Sequence, residues 1–114
     1  MLNKWPVTSV DSIPSKQAIR VLLQQLHERR VEAAQRYGGL TLPKLELLDH
    51  VFSRFAPASF ADLGCAYRVD GGYSLYAVDH WQPNRASLVD THPTPRMVEQ
   101  AAMRRGVEVP AACS

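Results

Sequence analysis

Long apolar runs are missing from this chain. No stretch approaches the ~20 residues that a bilayer-crossing helix takes, and Met1 to Val10 lacks the charged-then-apolar order of a secretory signal. Neither a membrane protein nor a secreted one is expected. Cysteine is scarce as well: Cys65 and Cys113 stand alone, without a CxxC or a Cys/His cluster. That excludes a disulfide framework and argues against a metal site, and reduced thiols in a cytoplasmic chain follow. Charge of one sign is also lacking, because 13 Lys and Arg stand against 11 Asp and Glu and leave a net +2 over 114 residues. So small an excess does not indicate a nucleic-acid partner. The densest basic pairs, Arg29 with Arg30 and Arg104 with Arg105, fall in expected helices and read as solvated faces. Internal repeats and low-complexity tracts are absent.

What is present is ordinary globular composition, 46% apolar and 21% charged, enough for one modest core. Pro6, Thr8, Ser9, Asp11, Ser12 and Pro14 make an irregular leader. From Ser15 the texture changes. Ile19, Leu22, Leu23, Leu26 and Val31 recur at helical spacing, Ser15 supplies an N-cap, and Gly38-Gly39 supplies the left-handed stop. A second helix starts near Pro43 and carries Leu45, Leu48, Val51, Phe52 and Phe55 until Pro57 ends it.

After Pro57 the pattern becomes α/β. Ser59 to Leu63 is a short strand closing on Gly64, and Tyr73 to Val78 suits a helix, with His80 and Trp81 in the turn that follows. Ala86 to Asp90 is a second strand, Thr94-Pro95 opens a helix through Met97, Val98, Ala101 and Ala102, and Gly106 precedes a third strand at Val107 to Val109. Alternation of this kind predicts a parallel sheet with helical crossovers. Residues 1–55 form a leader and helical segment, and residues 56–114 form a partial Rossmann-like domain of about three strands.

The residues that carry chemistry are Phe60-Ala61-Asp62-Leu63-Gly64-Cys65, then Gly71-Gly72, and Ser87-Leu88-Val89-Asp90. Glycine at a strand-to-loop bend lets the backbone approach a ligand, and a carboxylate at a strand's carboxyl end can accept two vicinal hydroxyls. Together they resemble the cofactor core of class I S-adenosylmethionine-dependent methyltransferases. The resemblance spans residues 56–109 and implies S-adenosylmethionine as cofactor, with Asp90 on the ribose. It further implies Gly64, Cys65, Gly71 and Gly72 in the cofactor loop and Asp62 positioning that loop. The run from Cys65 to Asp70 lengthens the loop beyond the family's compact Gly-x-Gly-x-Gly.

A dinucleotide site is the less fitting alternative, because Gly64-Cys65-Ala66 lacks the second glycine of that fingerprint. Arg68 and Asp70 read as a solvated pair, Cys65 as a packing residue, and Tyr37, Tyr67, Tyr73 and Tyr76 as packing aromatics. His27, His50, His80 and His92 form no metal constellation. Pro110 to Ser114 shows neither strand alternation nor helix period, so the sequence predicts a chain ending before the substrate half. It names no catalytic residue or methyl acceptor, and it is expected to be inactive alone. An open sheet edge predicts self-association or a complementing chain. The competing functional class is a non-enzymatic interaction module built on the first helix, between Leu22 and Val31.

Overall fold

The computed structural model describes residues 15–66 and 68–110. The leader, Tyr67, Cys113 and the other closing residues lie outside this description. Seven elements follow in order: α1 (Lys16–Tyr37), α2 (Leu42–Phe55), β1 (Ser59–Leu63), α3 (Gly72–Trp81), β2 (Arg85–Val89), α4 (Pro95–Ala102) and β3 (Val107–Glu108). The expected α/β class, with a three-stranded parallel sheet preceded by two helices, is what the chain adopts. Among the described residues no helix is long and apolar enough to cross a membrane.

Local chemistry explains most boundaries. Ser15 Oγ accepts the Ala18 amide at 3.1 Å and starts α1, and Gly38 ends it at φ 74°. Thr94 Oγ1 accepts the Met97 amide at 3.2 Å and starts α4 behind Pro95. Helix α3 runs one turn further than its apolar pattern suggests. Its last residues are held by tertiary bonds, Asp79 by Arg104 and Trp81 by Asp49, which the local sequence does not reveal.

The sheet order is β1-β2-β3, with Asp62 opposite Leu88 and Ala86 opposite Val107. Side chains alternate across the sheet. Ala86 and Leu88 point to one face, where they share a core with Leu75 and Val78 of α3 and Met97 of α4. Both crossover helices therefore lie on the same side. On the other face Ala61 is exposed and Leu63 is 76% exposed, while β1 pairs only with β2 among the described residues.

A second core joins Ala33 of α1, Leu40, Leu45 of α2 and Tyr76 of α3. Burial in α1 is confined to its carboxyl half, and Ile19, Leu22 and Leu23 remain exposed. The apolar stripe of α1 thus outruns the surface that α2 and α3 offer it.

Polar bonds fix the same junction. Asp49, 4% exposed, accepts from Arg30 Nε at 2.7 Å, Tyr76 Oη at 2.8 Å and Trp81 Nε1 at 2.8 Å. One carboxylate of α2 therefore holds α1 and α3 at once. Asp79 of α3 does similar work, accepting Arg104 Nε at 2.8 Å from beyond α4 and the Tyr37 hydroxyl from the end of α1. Arg29, Arg30 and Arg104 are consequently not a solvated face as their sequence context suggests. They are partly buried ion-pair partners, because acids distant in sequence meet them in space.

Asp49→Asn is expected to lower the unfolding free energy by about 2 kcal/mol, since the Arg30 cation loses its counter-charge while remaining partly solvated. Urea denaturation of both chains measures it, and an unchanged midpoint would show that the junction does not depend on this carboxylate.

Candidate functional site

In parallel sheets ligands gather beyond the carboxyl ends of the strands, and that is where this chain has a cavity of about 420 Å3. Ala66, Arg68 and Asp70 line it from the β1–α3 loop, and Asp90, His92 and Thr94 line it from the β2–α4 loop.

Asp90 follows the last residue of β2, one position beyond the observed strand end. Its Oδ1 accepts the His92 amide at 2.8 Å and its Oδ2 accepts the Ala66 amide at 2.9 Å. The bond from His92, and then that from Ala66, favours the charged form and holds the carboxyl below its ordinary value. Each oxygen of a carboxylate has two acceptor positions, so one on each stays available after these bonds. Asp90 is therefore an ionised acceptor that also ties the two loops of the cavity together.

The lengthened loop is folded back on itself. Gly71 N donates to Cys65 O at 2.9 Å and Asp70 N donates to Ala66 O at 3.0 Å, which closes the loop at its base. Gly71 is thereby brought beside Cys65 despite five intervening residues. Arg68 and Asp70 both take positive φ, at 64° and 48°. Left-handed backbone at non-glycine residues is costly, and here it flanks the cavity. Asp70 also reaches beyond the loop: its Oδ1 accepts the Thr94 hydroxyl at 2.7 Å and links the loop to the start of α4.

The six residues singled out from sequence separate in space. Asp90 lines the cavity. Gly64 sits at φ 73° with nothing within 4 Å of where a β-carbon would stand, open for close approach. Asp62 accepts the Ser74 hydroxyl at 2.5 Å and so anchors the first turn of α3 to β1. Cys65 is 5% exposed, with Sγ 3.6 Å from Met97 Sδ, and burial with the nearby Asp62 charge pushes its thiol up to about 11. It is a packing residue and an unreactive thiol.

Gly71 and Gly72 face inward. A β-carbon on Gly71 would come within 2.9 Å of Leu88 Cδ2, and one on Gly72 within 2.9 Å of Leu40 Cδ2. These glycines let α3 start hard against the core and α1's end. Thr94 has a role beyond helix capping that its sequence context concealed, because its partner Asp70 lies 24 residues away.

Among the described residues no group of His, Cys, Asp and Glu can hold a metal ion. Compared with protein-family models, curated proteins and solved structures, the chain matches none. The arrangement of residues around the cavity therefore bears the functional reading alone.

Gly64→Ala and Gly71→Ala separate the two kinds of glycine. Both meet left-handed backbone, but only Gly71 also overpacks the core, so about 1 kcal/mol is expected at Gly64 and about 3 kcal/mol at Gly71. Chemical denaturation of the two variants checks the order, and equal losses would contradict the separation.

Proposed function

We propose that this chain is a class I S-adenosylmethionine-dependent methyltransferase-like protein, contributing the cofactor-binding part of the site. The observation that carries the reading is the ionised Asp90 carboxylate at the end of β2, on the wall of a cavity of about 420 Å3, with an acceptor position left on each oxygen. A vicinal diol such as the cofactor's ribose donates two hydroxyls to such a group. Gly64 supports the reading by leaving the bend after β1 unobstructed, and the volume lies within the range of small-molecule sites.

Bound S-adenosylmethionine would supply an activated methyl group. The work of these residues is to bind and orient: Asp90 takes the ribose, the amide of Ala66 keeps the loop at its edge, and Asp62 keeps α3 seated through Ser74. No residue here is assigned to the acceptor, and catalysis by this chain alone is not proposed.

A saturating ligand that binds only the native state raises stability, by about 2.7 kcal/mol at a hundredfold excess over Kd. S-adenosylhomocysteine is therefore expected to raise the thermal midpoint of the full chain, and Asp90→Asn is expected to abolish most of that increment. An unchanged wild-type midpoint at millimolar ligand would remove the reading.

The exposed stripe of Ile19, Leu22 and Leu23 on α1 favours a second reading, in which the chain acts by self-association through that helix. Sedimentation velocity is expected to show concentration-dependent dimers that Leu22→Glu disperses. A wild-type monomer across the concentration range would discard it.

A further inference from the structure

A second concavity, of about 150 Å3, lies on the other side of the β1–α3 loop, and Asp70 borders both. Arg96, Gln100 and Arg104 are spaced four apart along α4 and its continuation and line one wall. Arg36 and Tyr37, at the end of α1, line the other. Three arginines from two distant parts of the chain therefore line one small cleft.

They are not equivalent. Arg104 is committed, with Nε 2.8 Å and a terminal nitrogen 2.9 Å from the two oxygens of Asp79 and a further bond of 2.7 Å to Gln100 O. Arg36 lies beside Glu32 on the surface, its Nε and a terminal nitrogen both bonded to the same oxygen, at 2.9 Å and 2.7 Å. The Arg96 side chain has no hydrogen bond or ion pair among the described residues.

The position of Arg96 adds to the imbalance. It stands in the first turn of α4, where the peptide dipoles already present positive charge, and that turn contains no acidic residue. The one carboxylate on the rim, Asp70, is turned to Thr94 and makes no ion pair with Arg96. Tyr37 is likewise engaged, with its hydroxyl on Asp79.

We propose that this cleft binds a small oxyanion of the phosphate type, held between the guanidinium groups of Arg96 and Arg36, with the Gln100 amide beside them. Arg104, its charge met by Asp79, shapes the wall. An arginine fork offers paired donors to two oxygens, and the Arg96 fork from α4 with the terminal donors that Arg36 keeps beyond its Glu32 bonds suits a group carrying more than two acceptor oxygens. The site is separate from the cavity at Asp90 and does not rest on the methyltransferase reading.

The test is calorimetric titration of the full chain with inorganic phosphate at constant ionic strength, balanced with chloride so that general screening is held fixed. Saturable binding is expected, with affinity at least tenfold weaker in Arg96→Gln and several-fold weaker in Arg36→Gln. Both side chains are dispensable for the core, and unchanged thermal midpoints would confirm that the variants fold. Arg85→Gln, an exposed arginine on β2 beside Glu108, is expected to bind as the wild type does. Parallel titration with phenyl phosphate distinguishes sources: tighter binding of the ester assigns a phosphorylated molecule, and tighter binding of the inorganic ion assigns free phosphate. Absence of saturable binding, wild-type affinity in Arg96→Gln, or an equal loss in Arg85→Gln would overturn the proposal.

Discussion

The carboxylate of Asp49 sets the constraint under which the rest of the chain is arranged. A buried anion is tolerated only when charge and hydrogen bonds replace the water it has lost, and here Arg30 of α1 with Tyr76 and Trp81 of α3 supply them. Because those partners come from different helices, satisfying one side chain fixes three elements relative to one another. Helix α3 held in this way is what places Gly71 against Leu88 and Ser74 against Asp62. The loop that edges the cavity inherits its position from a helix junction at the other side of the sheet's core.

The candidate site is built mostly from backbone and short side chains on loops, as expected where a scaffold is rigid and the ligand sits beyond the strand ends. Asp90 has two functions in one geometry. Its amide bonds to Ala66 and His92 bind the loops together, and they also keep the carboxyl ionised. Asp70 repeats the tactic one layer outward, joining the strained loop to Thr94 at the start of α4. Loop closure at Cys65 and Gly71 turns a long connection into a short one, and Ala66, Arg68 and Asp70 border the cavity while α3 stays tied to β1.

The sheet is covered unequally. One face has α3 and α4 against Ala86 and Leu88, whereas Leu63 stands open on the other and β1 keeps an unpaired edge among the described residues. Parallel sheets are usually covered on both faces. The imbalance is the physical ground for treating association as a serious alternative, and it arises from topology, since both crossovers pass on the same side.

Hydrophobic periodicity, Ser15 and Thr94 as caps, the glycine pair after Tyr37 and the prolines at positions 43, 57 and 95 determined the order and type of the elements. Each is a local effect acting within a few residues. The acidic residue after β2 was equally legible, because strand and loop chemistry place it at a carboxyl end. Only the tertiary structure decided which charges are buried, that Gly71 and Gly72 serve packing, that α3 continues through Trp81, and that Asp70 belongs to Thr94. In every one of these cases the partners are separated by roughly a helix or more of sequence. Their encounter depends on how the helices dock, which no local pattern encodes.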